Sequence, residues 1–229
     1  MSSHSDWEAM NREMLDRQRR LSSLPGLKAL EWNFGNADMS LRHMQVARMY
    51  ADSWDELSLQ SQGLLFFGPV GVGKSYAAAC IANTLLDRRI PVKMLSFATV
   101  LSDLRGLYGD KLQQYMDSIA KCRLLILDDL GVERETTYAK EQLQHFIDDR
   151  WLSRQPLIFT TNLSPADMQE CTDLTQQRLY DRLNNMCTPV FCGEVNLRAQ
   201  DSRRRHRELK AWFDGQTAEL HTHSKQEGA

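Results

Sequence analysis

The sequence predicts an α/β fold: a parallel sheet flanked by helices, with a short helical arm at its N-terminus. Three observations carry that prediction. An apolar run at 64–67 leads into the glycine-rich turn Gly68–Ser75, and helix formers with apolar residues at Ala78, Ile81, Ala82 and Leu85 follow. A second aliphatic run, 124–127, ends in Asp128 and Asp129. Ahead of both, residues 1–24 place Trp7, Met10 and Met14 on one helical face.

The whole-chain bounds suit one such core. The chain has 229 residues, enough for one good-sized core plus appendages and too few for two full domains. Hydrophobic residues at 42% and charged residues at 25% are globular values, and the net charge of −2 excludes a uniformly basic nucleic-acid binder. Any such surface must be a local patch. The cysteines Cys80, Cys122, Cys171, Cys187 and Cys192 form no C-x-x-C pair and no zinc-like spacing with histidine. They read as reduced thiols. No signal core or membrane-length apolar run is present, so a soluble, cytoplasmic protein is expected.

In chain order, the first element is the arm, 1–34. Ser5 and Glu8 have capping-box spacing, Arg17, Arg19 and Arg20 charge the far end, and Leu24-Pro25-Gly26 stops the helix. Its apolar stripe must be buried somewhere, either on its own domain or against a partner protein. The second segment, 35–213, is the predicted core domain. It opens with a helical stretch near Met39–Leu57, following the aromatic residues Trp32 and Phe34. Such a lead-in either covers a nucleobase or packs the core.

The turn itself carries the chemistry. Gly68 to Ser75 fits G-x-x-x-x-G-K-[ST], the phosphate-binding loop, in its confirming strand–turn–helix context. Gly68, Gly71, Val72 and Gly73 let backbone N–H groups converge on a polyphosphate, beside a helix N-terminus that favours negative charge. Lys74 is placed for the β- and γ-phosphates, the Ser75 hydroxyl for Mg²⁺, and Tyr76 joins the nucleotide-binding set as the next residue. The chain is expected to bind ATP with Mg²⁺.

Past this helix, Arg88–Pro91 turns into a strand at 92–97, and helical patterns follow at 98–108 and 112–119. The aliphatic run ending Asp128-Asp129 reads as a buried central strand with its acids at the C-terminal end, where ligands bind in such sheets. Asp128 is assigned to the metal shell, and Asp129 to orienting or deprotonating the attacking water. An amphipathic helix at 140–152 precedes a strand at 156–161 ending in Asn162, placed to bond the attacking water or γ-phosphate, or simply to start a turn. Arg178 and Arg182, four apart, share one helical face, which suits either solvent or phosphate. A short strand at 189–191 and a basic stretch, 198–210, complete the core. Residues 214–229 read as a polar tail, with His221 and His223 solvated rather than metal-bound.

This order of motifs resembles an AAA+ ATPase, and within that class the DnaC/DnaI/IstB group of helicase loaders and transposition helpers. The resemblance spans about residues 35–212 and rests on Gly-Pro-Val-Gly-Val-Gly-Lys-Ser at 68–75, Leu-Asp-Asp-Leu-Gly-Val at 127–132, and Thr-Thr-Asn-Leu at 160–163. Arg-Leu-Tyr-Asp-Arg-Leu at 178–183 and Asp-Ser-Arg-Arg at 201–204 complete it. It implies that Asn162 is sensor 1, that Arg178 is an arginine finger completing a neighbouring subunit's site, and that Arg182 is its companion. It further implies that Arg204 is the sensor 2 arginine, acting in cis. By the same resemblance, Glu133–Lys140, with Thr136 and Tyr138, contacts single-stranded DNA, where Tyr108 would also stack. Asp129 stands where many AAA+ proteins have Glu, and its shorter arm suits slow, DNA-stimulated hydrolysis.

The function this implies is an ATPase that binds single-stranded DNA, works as a homo-oligomer and loads a DnaB-like replicative helicase through its arm. The alternative in the same fold is a transposition helper acting with a transposase on duplex DNA. A nucleotide-regulated adaptor without a DNA role is the reading from another class.

Overall fold

The computed structural model describes residues 3–130, 137–170 and 174–226; the side chains of 3–5, 101, 137–143, 175 and 214–226 are not described. The first helix, α1 (Ser3–Ser23), starts two residues ahead of the predicted cap at Ser5. Two short 3₁₀ turns, Leu27–Glu31 and Phe34–Asn36, lead to α2 (Arg42–Asp52) and α3 (Trp54–Leu59). The stretch expected as one helix is thus two, separated at Ser53.

Strand β1 (Gly63–Phe67) feeds the phosphate loop and α4 (Lys74–Asp87). Then come β2 (Val92–Ser96), α5 (Phe97–Gly106), α6 (Asp110–Ala120) and β3 (Leu124–Leu130). The chain continues through α7 (Thr137–Leu152), β4 (Leu157–Thr161), α8 (Pro165–Gln169) and α9 (Leu174–Met186). It closes with β5 (Cys187–Phe191) and α10 (Leu197–Gln226). Among the described residues, five strands form one wholly parallel sheet in the order β2-β3-β4-β1-β5. The predicted fold class is borne out.

The aliphatic runs are continuous because both faces of the sheet are buried. Leu64, Phe66, Leu124, Ile126 and Ile158 face a core shared with α2 and α4. The alternate residues Leu65, Leu125, Leu127, Leu157 and Phe159 face a second core built with α5, α7 and α9. On the first side Ala77, Ala78, Ala79, Cys80 and Ala82 are all buried, so small side chains seat α4 against its neighbours. Trp54 is 2% exposed, meets Tyr50 edge-on at 6.2 Å, and Tyr50 donates to the Gln62 carbonyl at 2.7 Å. Trp54→Ala is expected to lower stability by about 3–5 kcal/mol, read as a lower denaturant midpoint at unchanged slope.

The expectation that the arm docks on its own domain is met in part. Its C-terminal end docks on α4: Arg20 pairs with Asp87 and donates to Asn83 Oδ1 at 3.1 Å, Arg19 donates to the Leu86 carbonyl at 3.2 Å, and Leu24 is buried. Its apolar stripe stays at the surface, with Trp7, Met10 and Met14 each more than half exposed. Within the region expected as a polar tail, α10 continues as helix as far as Gln226.

Candidate nucleotide site

The site begins with backbone conformation. Gly71 and Gly73 have φ of +85° and +98°, which L side chains rarely adopt. A Cβ on Gly71 would also stand 2.3 Å from Asn196 Oδ1. That approach joins the loop to the start of α10: Asn196 caps Ala199 N–H at 2.8 Å, and Arg198 N–H donates to the Gly71 carbonyl at 3.2 Å. Lys74 is the first residue of α4 and is 7% exposed. Its Nζ donates to the carbonyls of Gly68 and Pro69, both at 2.7 Å, and to Asn162 Oδ1 at 2.8 Å. Burial lowers the Lys74 pKa, while the Asp129 and Asp128 carboxylates oppose that shift.

Across the crevice, the acids end β3 beside β4. Thr160 Oγ1 donates to Asp128 Oδ1 at 2.6 Å and accepts the Asp129 N–H at 2.8 Å. Asp129 has φ of +58°, a conformation Asp tolerates better than most residues. Lys74, Ser75, Asp128, Asp129, Thr160 and Asn162 line one cleft of about 1360 Å³. Strands β1, β3 and β4 deliver these residues to the same edge because they are parallel neighbours.

The remaining walls come from outside the sheet. Trp32, Ala37, Leu41, His43 and Met44 line one side, so the lead-in covers the cleft as well as packing the core. Tyr76 lines it too; its ring lies 5.5 Å from that of Trp32 and its hydroxyl donates to the Asn33 carbonyl at 3.2 Å. Helix α10 supplies Arg198, Arg203, Arg204, Arg205 and Arg207. Arg204 is an exposed rim residue held by Asp201 at 2.8 Å. The donor set fits Mg²⁺: a hydroxyl and one carboxylate, with oxygens left for phosphate and water. Among the described residues there is no cluster of three or more His, Cys, Asp or Glu side chains of the kind an all-protein metal site needs.

A protein-family model, "IstB-like ATP binding protein", matches residues 4–208. The chain belongs to this family.

Within the IstB-like family and its relatives, the chain is 28% identical over 185 residues to the replicative helicase loader DnaC of Escherichia coli (strain K12), covering 77% of this chain and 72% of that one. It is 31% identical over 127 residues to "Putative ATP-binding protein Rv3427c in insertion sequence" from Mycobacterium tuberculosis, covering 54% and 51%. The crystal structure of DnaI superposes with a TM-score of 0.64 at 22% identity, covering 79% of this chain and 99% of that one. The resemblance to the DnaC/DnaI/IstB group is therefore borne out.

The IstB-like chain keeps other sequence-predicted residues apart from the cleft. Arg178 is exposed on α9 and does not line it. Arg182 is engaged on α7 instead: it pairs with Asp148 at 2.9 Å and lies 4.2 Å over the Trp151 ring. Tyr108 is 78% exposed between α5 and α6, also off the cleft. Thr136 lies outside the described residues, and so does the side chain of Tyr138, which sits in α7. Cys80, Cys122, Cys187 and Cys192 are buried free thiols, and no described helix is long and apolar enough to cross a membrane. Sequence reading missed α8, although Ser164 and Asp167 form a capping box around Pro165 at its start. It also missed Thr160 and His43 as site residues.

Proposed function

We propose that this chain is an ATPase that binds single-stranded DNA and delivers a DnaB-like replicative helicase to it. The observation that supports the reading best is the cleft, where a buried Lys74, two acids and Asn162 converge in a chain similar to DnaC. In this reading Gly68, Gly71, Val72, Gly73 and Tyr76 contribute to holding the nucleotide. Lys74 leaves the carbonyls of Gly68 and Pro69 for the β- and γ-phosphates, and Ser75 and Asp128 hold Mg²⁺, which neutralises charge on the phosphate oxygens when bound. Asp129 orients and deprotonates water, Asn162 holds that water or the γ-phosphate, and Arg204 reaches the γ-phosphate from α10. Arg178 serves the neighbouring subunit of a homo-oligomer, while Arg182 stays on Asp148 and Trp151 of its own chain. Thr136, Tyr138 and Tyr108 contact DNA, and the exposed stripe of α1 is the helicase handle.

Asp129→Asn tests the hydrolytic assignment. Asn tolerates the same left-handed backbone, so ATP affinity is expected to persist while phosphate release falls about 10²–10⁴-fold. Hydrolysis at the wild-type rate would remove Asp129 from this role.

A second reading, a transposition helper on duplex DNA, is favoured by the family description and by the similarity to an insertion-sequence protein. Labelled single strands and duplexes of equal length separate the two. The loader reading expects tighter binding to single strands, and ATP-dependent retention of the cognate helicase on circular single-stranded DNA only while α1 is present. Preference for duplex, without helicase retention, supports the helper. Tyr138→Ala is expected to weaken single-strand binding by about 1–3 kcal/mol, seen in the same titration with ATP affinity unchanged.

A further inference from the structure

The end of β3 is not a regular strand. Its register against β4 runs Leu125–Leu157, Ile126–Ile158 and Leu127–Phe159, then resumes at Leu130–Thr161. Asp128 and Asp129 together therefore stand opposite Thr160 alone, a bulge of two residues against one. A bulge removes ladder hydrogen bonds and turns the bulged strand, here through Asp129 at φ +58°. Asp128 keeps its register with Ser96 on β2, so it is on the β4 side that other bonds must hold the acids in place of the ladder.

Thr160 is 1% exposed, and its single hydroxyl oxygen meets both acids. It donates to the Asp128 carboxylate at 2.6 Å and accepts the Asp129 backbone N–H at 2.8 Å. The following threonine closes the bulge from its other side: Thr161 Oγ1 donates to the Leu130 carbonyl at 2.8 Å and accepts Leu163 N–H at 3.2 Å. A hydroxyl is the smallest side-chain group that donates and accepts at one atom. Valine has nearly the same shape and can do neither.

We propose that Thr160 is the positioning residue of the acid pair, setting the Asp128 carboxylate for the metal and holding the Asp129 backbone in the conformation that presents its side chain to the cleft. This rests on the reading that Asp128 serves Mg²⁺ and Asp129 the water. The Thr160 hydroxyl is engaged by Asp128 and by the Asp129 backbone, so it acts through the acids. Outer groups that orient a metal ligand commonly contribute about 10–100-fold to metal affinity or rate.

The test compares Thr160→Val and Thr160→Ser in the full chain. Mn²⁺ binding is read by electron paramagnetic resonance with a non-hydrolysable ATP analogue, and ATP turnover by phosphate release. Thr160→Val is expected to weaken Mn²⁺ binding and to lower kcat, each by about 10–100-fold, with KM for ATP within about twofold. Thr160→Ser is expected to restore both to within about threefold, because it keeps the hydroxyl. Thermal melting checks folding; should the valine variant fail to fold, Thr160→Ala takes its place in the Mn²⁺ measurement. Wild-type Mn²⁺ affinity and kcat in Thr160→Val would overturn the proposal. So would a serine variant as impaired as the valine one, since packing of the methyl group would then be the cause. A wild-type chain that binds no Mn²⁺–nucleotide would overturn the underlying site reading, whereas intact wild-type binding with an indifferent Thr160 overturns this inference alone.

Discussion

Lys74→Ala is expected to remove most of the ATP affinity while leaving the chain folded. The Lys74 ammonium is buried among three acceptors, the carbonyls of Gly68 and Pro69 and Asn162 Oδ1. Burial pushes its pKa down, against the pull of the nearby Asp129 and Asp128 carboxylates, so the ammonium carries a desolvation cost there. That cost is offset when a polyphosphate takes the place of the two carbonyls, because charge-assisted bonds to phosphate are about twice as strong as neutral ones. Removing the ammonium takes away the one point charge that the phosphate loop itself presents to the β- and γ-phosphates. A loss of about 2–5 kcal/mol in binding follows, roughly 30-fold to several thousand-fold in affinity. Titration with a fluorescent ATP analogue reads it directly. Wild-type affinity in Lys74→Ala would mean that the cleft is not the nucleotide site.

Arg178→Ala is the second large effect, and it bears on assembly. Arg178 is exposed on α9 and lies off its own chain's cleft, so in cis it has no phosphate to meet. If it completes a neighbour's site, turnover per subunit rises with protein concentration and DNA that aligns subunits stimulates it. Arg178→Ala then binds ATP almost normally and hydrolyses it about 10³–10⁵-fold more slowly, towards the smaller figure if the wild type is slow. Mixing it with Lys74→Ala is the decisive arm. Lys74→Ala keeps its own arginine but cannot use ATP, so turnover in the mixture arises only where it completes an Arg178→Ala subunit's site. Sedimentation establishes that the two co-assemble. Co-assembly without rescue would remove Arg178 from a role in trans.

Much of the sheet was legible because its signals are local. The inner strands β1, β3 and β4 carry runs of apolar or β-branched residues buried on both faces, so no alternation blurs them, whereas the edge strands β2 and β5 mix buried with partly exposed or exposed residues. The phosphate loop was equally plain, since its spacing is imposed by one ligand on consecutive backbone groups. What escaped notice depends on chain-distant partners. Nothing in the run ending Asp128-Asp129 reveals the bulge, which exists only against Thr160 on another strand. Arg182 looked like the companion of Arg178, yet Asp148 and Trp151, more than thirty residues upstream at the nearer of them, hold its guanidinium. Helix α10 shows the limit of composition: the basic run at 203–207 was evident, but its place along the cleft follows from Asn196 meeting Gly71.

The central claim is that ATP occupies the cleft between the phosphate loop and the acids of β3. A crystal structure of the chain with a non-hydrolysable ATP analogue and Mg²⁺ tests it most directly. The account predicts the triphosphate along Gly68–Ser75, Lys74 Nζ moved from the Gly68 and Pro69 carbonyls to the β- and γ-phosphates, and Asp128 facing the metal. An analogue bound elsewhere, with Lys74 still on those two carbonyls, would contradict it.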